Sequence, residues 1–434
     1  MKKKLFRMLL SLVLSFTTIG AAFAAPSQTM EVQAATDFSV IFDATYYLSK
    51  YPDLAAVYGN DPQKLYNHYR NVGVGEGRQP SAQFNPVYYI SNYPDLVAIF
   101  GNSWGSYAKH FVDCGIAEGR VADRLLPGKS VANMAEIAQM KPQQELNWHS
   151  EPVTPLPDHY HDLTTTEEFQ LALTQLTNAA DKTLVFNPAL VYPGTTVRTY
   201  CDNSTQVVCW KELVNGYVCS FAEVTIADGS QFRRKLNGDA FGTKPHVLGS
   251  VLSAQADAVV AANADFYLGR GIGTVVYDGT VYRFASSLDT CYITYDGKML
   301  FSYAGQLKTM QDCQNFVAAN NVNFAITFGP VIVDNGEQRH VSSYMLGEID
   351  DKYCRAALGE IDDRHYLIMV MNQDYGHGVS DLHAVAPIML SKNCQKAYTL
   401  DGGLTGAIYM DDVKFNRVNV REVSDIIYFA TYGD

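Results

Sequence analysis

The sequence predicts an α+β fold, in which a domain built on a mixed β-sheet with flanking helices follows two small helical repeats. Three observations predict it. A pattern that begins at Phe42 returns at Phe84, a proline-rich polar segment follows near residue 151, and the remainder alternates strand patterns with a few helical ones. A chain of 434 residues with 47% hydrophobic residues can bury a large core over more than one unit.

The first 24 residues have the features of a secretory signal peptide. Basic residues precede an apolar run from Met8 to about Ile19, and Ala22-Phe23-Ala24 follows as a cleavage pattern. The run is shorter than the ~20 residues that a membrane-spanning helix needs. We therefore expect cleavage after residue 24, or after residue 34 at a second small-x-small site, no membrane span, and a secreted or cell-surface protein.

Residues 37–80 and 81–122 are the two repeats. A Y-P-D-L sequence, a Gly-Asn pair, a histidine and an E-G-R sequence recur at a constant offset of 42 residues. Aromatic and aliphatic residues at helical spacing, closed by glycines, predict a small pair of helices in each. We interpret His68 and His110 as packed, hydrogen-bonded residues. The repeats resemble modules of secreted proteins of Gram-positive bacteria, which suggests surface-attachment or spacer units.

Residues 123–162 are predicted to be an extended linker, because periodicity fades after Val121 and the segment EPVTPLPDHYHD is rich in proline and polar residues. Residues 163–434 then form the main domain. It opens with a capped helix in TTTEEFQLALTQLTNAA and continues with strands, hairpins that turn at Asp-Gly, and three further helical patterns. A long mixed sheet with a few helices over it is expected.

Charge and cysteine content limit the classes of function. The net charge is -12, and removal of the signal peptide takes away four positive charges and no negative ones. The mature chain is therefore more acidic still, which argues against a nucleic-acid partner. Cys201, Cys209 and Cys219 lie close enough in sequence for one disulfide, and the sequence leaves that open. No cysteine pair has zinc-site spacing.

Four stretches place polar side chains at predicted strand ends, where packing alone does not explain them: 263–271, 328–337, 354–360 and 400–409. Asn263 and Asp265 follow an apolar strand two residues apart, so they share one face. Arg355 opens another strand, and a half-buried arginine needs a carboxylate or an anion as partner. Asp401 precedes two glycines, which let a ligand approach the backbone. Singly, a turn or an ion pair explains each.

Together and in this order, the stretches resemble the phosphodiester glycosidase family. The family motifs N-G-G/D-F/Y-F/Y, G-x-V-x-x-x-G, G-P-x-L-V-x-x-G, R-T/A-A-x-G and L-D-G-G-G-S are matched by the segments that begin at Asn263, Gly273, Gly329, Arg355 and Leu400. The resemblance covers about residues 215–434. This sequence departs from the motifs at three positions, where it has Ala264, Leu404 and Thr405.

The resemblance implies a secreted hydrolase that cleaves an N-acetylglucosamine-like sugar from a phosphodiester-linked cell-envelope or extracellular glycan. It implies Asp401, Asp265 and Arg355 as catalytic residues, with Asp401 serving the oxocarbenium-like transition state and Arg355 the phosphate. It further implies substrate-binding roles for five residues: Asn263, Gly402, Gly403, Thr405 and Gly329. His377 lies between glycines in a loop before a predicted helix, and it is a candidate substrate-binding lid residue, with a solvent-exposed turn as the alternative. We expect Asn263, Asp265, Arg355 and Asp401 to converge on one cleft.

No cofactor is expected, although a calcium ion that bridges carboxylates is left open. The expected partner is a phosphorylated glycan or a cell-wall polymer. The alternative function is a non-catalytic surface glycan-binding or adhesion protein. Leu404 and the paired repeats favour that alternative, whereas the retention of two carboxylates beside an anion favours the enzyme. A serine or cysteine nucleophile is not supported, because no G-x-S-x-G occurs and Cys354 has no evident base.

Overall fold

The structure, a computed structural model, describes residues 36–143, 153–180, 182–242, 246–342, 344, 349–371, 379–416 and 421–432. The predicted signal peptide, its alternative cleavage site and His377 lie outside the described residues. Among the helices that are described, none combines the length and apolar character that crossing a bilayer requires.

The two 42-residue segments carry helices at matching positions. The first has α1 (Ala44–Lys50), α2 (Ala55–Tyr58) and α3 (Pro62–His68), and the second has α4 (Pro86–Asn92), α5 (Pro94–Phe100) and α6 (Trp104–His110). A π-helical turn follows in each, Tyr69–Gly73 and Phe111–Gly115. Each segment thus has three helices where a pair was expected. The proline of Y-P-D-L forces the preceding tyrosine out of helical geometry, which ends α1 and α4.

The two repeat histidines are packed and hydrogen-bonded, in agreement with the sequence analysis. Tyr47 Oη lies 3.0 Å from His68 Nδ1, and Tyr89 Oη lies 2.8 Å from His110 Nδ1. Burial lowers the pKa of His68 to about 4 and lowers the pKa of His110 as well. Both rings are therefore neutral core groups near pH 7.

The predicted linker, 123–162, is largely structured at both ends. Helix α7 (Met134–Ile137) packs Ile137 into the hydrophobic cluster of the repeats. The Ala132 N–H donates to Ser91 Oγ at 2.9 Å, and the Leu126 N–H donates to Asn92 Oδ1 at 2.9 Å. At the other end, residues 160–163 form a strand of the main domain. Hydrogen bonds to the second repeat and the packing of Ile137 hold this segment, and its four-residue helix is too short for hydrophobic periodicity to reveal it.

We expect the main domain to fold without residues 36–143. The cluster that contains the repeats is separate from the main hydrophobic core, and the polar contacts between the two parts include Arg70 Nη2 to Tyr432 O, at 3.3 Å, and Lys141 Nζ to Ala319 O. A chain truncated to begin at residue 153 should keep one cooperative thermal transition by circular dichroism. A non-cooperative melt would place the repeats within the core of the domain.

The main domain contains three described sheets, and all their strand pairings are antiparallel. In spatial order the nine-stranded sheet is β1 (Tyr160–Leu163), β2 (Val197–Cys201), β3 (Thr205–Val214), β4 (Tyr217–Ile226), β15 (His365–Met371), β14 (Ala356–Asp362), β16 (Lys396–Leu400), β12 (Val331–Asp334) and β13 (Glu337–Gln338). A five-stranded sheet has β10 (Met299–Ser302), β9 (Thr290–Thr294), β11 (Val322–Ile326), β7 (Val275–Tyr277) and β8 (Thr280–Arg283). The other has β18 (Val413–Lys414), β17 (Ile408–Met410), β6 (Val260–Asn263), β19 (Asp425–Phe429) and β5 (Phe232–Leu236).

The helices of this domain are α8 (Thr166–Ala180), α9 (Gly249–Gln255), α10 (Tyr267–Arg270), α11 (Met310–Ala319) and α12 (Val385–Ser391). Helix α8 starts at a capping box, since the Glu168 N–H donates to Thr165 Oγ1 and Glu168 Oε2 accepts from the Thr165 N–H. The predicted α+β class is confirmed. Three antiparallel sheets stand where one long mixed sheet was expected, and seven of their sixteen described neighbouring strand pairs are consecutive strands joined by short hairpins.

The disulfide that the sequence left open is not formed, and all eight cysteines are free thiols. Cys209 pairs with Ala222 and Cys219 pairs with Glu212 across β3 and β4, so the two cysteines sit three positions out of register. At 3.3–3.4 Å per residue that offset is about 10 Å, beyond the ~4.4–6.8 Å between Cα atoms that a disulfide spans. Cys201 and Cys209 are offset by three positions in the same way across β2 and β3.

The ends of strands from two sheets meet at one place. Leu400, the last residue of β16, pairs with Ala356, the first residue of β14. The Asp401 N–H then donates to Ala264 O at 3.1 Å, which joins the end of β16 to the end of β6. Strand ends of the nine-stranded sheet and of a five-stranded sheet therefore deliver residues 264–270, 355 and 401–405 to a common region.

Candidate active site

A cavity of about 370 Å³ opens at this junction. Its described lining combines three arginines, one carboxylate, four aromatic rings and the backbone of two glycine-containing loops: Phe266, Arg270, Phe328, Gly329, Pro330, Tyr344, Tyr353, Arg355, Ala356, Leu382, Thr399, Leu400, Asp401, Gly402, Gly403, Leu404 and Arg421. The volume suits a sugar phosphate. With Asp401 ionised, the described lining carries a net positive charge on a chain whose net charge is -12.

Asp401 lies in the wall of the cavity with 8% of its surface exposed. Burial raises the pKa of its carboxyl above the ordinary value, and the Thr405 hydroxyl and the Arg421 and Arg270 guanidinium groups partly oppose that shift. Arg421 Nη2 lies 3.4 Å from Asp401 Oδ2. The carboxyl therefore holds its proton up to a higher pH than an exposed aspartate does.

The two glycines after Asp401 serve different purposes. A Cβ on Gly402 would lie 2.5 Å from Cys354 O, so the backbone of the Asp-Gly-Gly turn packs directly on the residue before Arg355. Gly403 has a φ of +60°, and the space that its Cβ would occupy is open. Thr405 is 1% exposed and is not part of the described lining. Its hydroxyl donates to Gly402 O at 2.7 Å, which fixes the turn that carries Asp401.

Arg355 lines the same cavity as Asp401, as the sequence analysis expected. Its side chain is half-buried, and its guanidinium carbon lies 5.3 Å from the centroid of the Tyr353 ring. Two of its donors are already engaged with main-chain carbonyls: Nε donates to Ser380 O at 3.0 Å and Nη2 donates to Asp351 O at 2.5 Å. These bonds tie the start of β14 to the segments on either side of it.

Asn263 and Asp265 do not reach the described lining, so the four predicted residues converge only in part. Asn263 Oδ1 accepts from the Ala407 N–H at 3.0 Å, and its Nδ2 donates to Asp401 O. The Asn263 side chain therefore holds the backbone on both sides of the glycine turn. This contradicts the expectation that its amide faces the ligand, because both ends of a 1%-exposed amide are bonded to main chain.

Asp265 is likewise a buried positioning residue in the structure. Its Oδ1 accepts from the Tyr267 N–H at 2.7 Å, and its Oδ2 accepts from the Thr327 N–H at 3.0 Å. Arg234 Nη2 lies 3.1 Å from Oδ2. These bonds fix the loops that supply Phe266 and Phe328 to the cavity. The expected second catalytic carboxylate therefore does not face the cavity.

A buried ion cluster lies beneath the site. Arg234 Nη2 is 2.6 Å from Asp425 Oδ2 as well as close to Asp265, and Arg234 Nε donates to the same Asp425 oxygen at 2.8 Å. The Arg234 and Asp425 side chains are fully buried, and the Asp265 side chain is 1% exposed. One arginine thus pairs with two carboxyl groups, from β19 and from the loop after β6, and burial raises the pKa of Asp425 to about 7.

Sequence reasoning missed Arg270 and Arg421. Arg270 ends α10 inside the stretch 263–271 that was singled out for its carboxylate, and its position one helical turn past Phe266 was the available signal. Arg421 lies outside the motifs and carries no such signal. Both stack on rings of the cavity: the Arg270 guanidinium carbon is 3.9 Å from the Phe328 centroid, and that of Arg421 is 4.7 Å from the Phe266 centroid.

The remaining predicted residues are placed as follows. Gly329 lines the cavity, and a Cβ there would lie 2.1 Å from Tyr344 Oη, so the loop before β12 can pack on this tyrosine only without a side chain. Leu404 lines the cavity with 49% of its surface exposed. No group of three or more His, Cys, Asp or Glu side chains suited to a metal ion occurs within the described part of the chain.

Residues 256–430 match the phosphodiester glycosidase family. The resemblance drawn from the motifs is thereby confirmed over about two fifths of the chain. All five motif segments lie inside this phosphodiester glycosidase segment, and so do Asp265, Arg270, Arg355, Asp401 and Arg421. Curated proteins gave no match.

Three solved structures are similar to parts of the chain. The zebrafish N-acetylglucosamine-1-phosphodiester alpha-N-acetylglucosaminidase catalytic domain, auto-inhibited by its pro-peptide, has 15% identity and a TM-score of 0.40 over 52% of this chain and 83% of that chain. A hypothetical protein from Synechocystis has 13% identity and a TM-score of 0.39 over 54% and 64%. A putative exported protein from Burkholderia pseudomallei has 10% identity and a TM-score of 0.33 over 50% and 74%.

The raised pKa of Asp401 predicts a pH-dependent difference in stability between the wild type and Asp401→Asn. A carboxyl whose pKa is raised by folding holds its proton more tightly in the folded state, so the free energy of unfolding falls as pH rises from the unfolded pKa through the folded one. Asparagine does not titrate. The free energy of unfolding of Asp401→Asn relative to that of the wild type should therefore increase from pH 3 upward and then level off. Urea denaturation at a series of pH values measures this difference. A difference independent of pH would contradict the shift.

Proposed function

We propose that this protein is a secreted hydrolase that cleaves an N-acetylglucosamine-like sugar from a phosphodiester-linked glycan of the cell envelope or the extracellular space. The observation that carries the proposal is the pairing, in one cavity, of a single buried carboxylate with three arginines. The family match of the segment that contains them supports a glycosidase that acts on phosphodiester-linked sugars. The partner is a phosphorylated glycan or a cell-wall polymer, bound outside the cell.

Asp401 serves the anomeric carbon in this mechanism. Cleavage of the bond between that carbon and the phosphate oxygen builds positive charge on the sugar ring, and a carboxylate beside the ring stabilises this charge. A water molecule supplies the new bond to the anomeric carbon and loses a proton, so the products are the free sugar and a phosphate monoester. The leaving phosphate is weakly basic, so it needs less help from a general acid than an alkoxide does. It needs cations, and the arginines supply them with planar donors that match phosphate oxygens.

Asp265 and Asn263 contribute to catalysis by positioning. Asp265 bonds the two loops that carry Phe266 and Phe328, and Asn263 bonds the backbone of Asp401. Geometry of this kind affects rate, because a displacement of about 1 Å in a reacting group can cost on the order of 10²-fold. The aromatic side chains of the cavity offer apolar faces for the sugar ring.

The test is release of sugar from a defined substrate. Purified protein is incubated with a synthetic N-acetylglucosamine-1-phosphodiester, and free N-acetylglucosamine is measured over time. Turnover by the wild type that Asp401→Asn abolishes supports the proposal. A protein that binds the diester and releases no sugar from it, or from diesters of other sugars, is not a hydrolase of this class.

The second candidate function is a surface glycan-binding or adhesion protein. Among the described lining residues Asp401 is the sole carboxylate, whereas glycosidases ordinarily use two. The exposed Leu404 at the cavity also favours binding without cleavage. Binding of the phosphodiester with no release of sugar would select this function.

A further inference from the structure

The geometry points to Arg270 as the residue that binds the phosphate group, with Arg355 in a positioning role. This inference rests on the proposed function, because it concerns the anion of the same substrate. It reassigns the role that the motifs gave to Arg355, and it concerns a residue outside the motif positions that define the resemblance.

Arg355 and Arg421 already have protein partners for part of their guanidinium groups. Arg355 commits Nε to Ser380 O and Nη2 to Asp351 O, and both acceptors are main-chain carbonyls of neighbouring segments. A guanidinium held in this way ties the protein together and has fewer donors left for a phosphate. Arg421 is shared with Asp401 at 3.4 Å, and its side chain is 47% exposed.

Arg270 differs from both. Its Nη1 is buried and makes no hydrogen bond within the described part of the chain. A buried donor without a partner is destabilising, and more so when it is charged, so such a group is expected to receive an acceptor from a ligand. The cavity that Arg270 lines is the place where that acceptor can enter.

Packing holds the Arg270 side chain in a fixed orientation. The Arg270 guanidinium carbon sits 3.9 Å from the centroid of Phe328, so the planar group is stacked on a ring that also lines the cavity. Its backbone is fixed too, since the Arg270 N–H donates to Phe266 O at 3.2 Å. A stacked guanidinium loses little further freedom when it binds, and its in-plane donors match two oxygens of one phosphate.

The charge of Arg270 also affects the carboxyl group of Asp401. Arg270 and Asp401 both line the cavity, and the positive charge of Arg270 opposes the rise in the pKa of the Asp401 carboxyl. A phosphate bound to Arg270 would direct the attached sugar carbon toward Asp401. Arg270 is therefore a residue that contacts substrate, and Arg355 holds the strand end from which the cavity is built.

Binding of inorganic phosphate to the full-length protein tests the inference without any turnover. We expect isothermal titration calorimetry at pH 7 to show that the wild type binds phosphate. The affinity of Arg270→Gln for phosphate should be at least tenfold weaker than that of the wild type. Arg270→Lys, which keeps the charge and loses the stacked fork, should fall between them. The matched control is Arg124→Gln, which removes an exposed arginine paired with Asp123 outside the cavity and should bind as the wild type does.

Two results overturn the inference: wild-type affinity in a folded Arg270→Gln protein, or no phosphate binding by the wild type. If circular dichroism shows that Arg270→Gln is unfolded, Arg270→Lys decides, and wild-type affinity there overturns it. Failure of the proposed function is distinguishable. A wild-type protein that binds phosphate through Arg270 and releases no sugar from any phosphodiester retains this inference and loses the hydrolase assignment.

Discussion

Asp401→Asn should lower turnover on a sugar phosphodiester by a factor on the order of 10² or more, with little change in substrate affinity. The substitution keeps the size of the side chain and removes the charge that meets the developing cation at the anomeric carbon. The backbone contacts of residue 401, to Ala264 O and from Asn263 Nδ2, do not involve the carboxyl and remain. Steady-state kinetics with the N-acetylglucosamine-1-phosphodiester, together with calorimetric affinity for the same compound, measure the two effects separately.

The folding control for this variant is its stability. Because burial raises the pKa of Asp401, the neutral amide should not reduce the free energy of unfolding at pH 7. Thr405→Val is a useful companion, since it removes the hydroxyl that bonds Gly402 O and leaves the carboxylate in place. It should reduce turnover less than Asp401→Asn does. Near-normal turnover in Asp401→Asn would assign the cavity to binding.

Arg234→Met should destabilise the main domain by about 3–5 kcal/mol, the range for removal of one partner from a buried ion pair. Arg234 faces Asp265 and Asp425 at 3.1 and 2.6 Å, so its loss leaves two buried carboxyl groups close together without this partner. One of them must then take up a proton, and the loss should shrink at acidic pH. Urea denaturation at pH 7 and at pH 4 measures both effects.

Lys298→Met is the matched control for Arg234→Met. Lys298 Nζ also lies 2.5 Å from a carboxylate, that of Asp296, but the two side chains are 60% and 56% exposed. Exposed pairs of this kind contribute about 0–1 kcal/mol. Equal effects of the two substitutions would mean that the buried cluster does not hold the loops of the cavity.

The positioning role of Asp265 changes how the first motif is understood. The motif residue that the sequence singled out as a second catalytic carboxylate is, in the structure, the link between Arg234 and the backbone of two cavity loops. A carboxylate required at a position does not have to touch the ligand. Asp265→Asn should therefore lower the stability of the protein and displace the two cavity loops, as well as lower turnover.

The sequence by itself predicted the class of the fold, the repeated N-terminal segments and the positions of Asp401 and Arg355 at strand ends. These follow from local properties: apolar periodicity, the 42-residue offset, and polar residues that interrupt apolar strands at Asp401 and Arg355. The hydrogen-bonded role of His68 and His110 was also local, because the partner tyrosine lies within the same repeat.

Only the tertiary structure decided which polar groups face the cavity. Asn263 and Asp265 are turned into the protein because their acceptors meet N–H groups of Ala407 and Thr327, which are distant in sequence. Arg270 and Arg421 enter the site because Phe328 and Phe266 offer them rings to stack on. The segment 123–143 belongs with the second repeat through the packing of Ile137 and through hydrogen bonds that include those to Ser91 and Asn92. Such pairings depend on which buried donors and acceptors meet after the sheets pack, and one-dimensional patterns do not encode them.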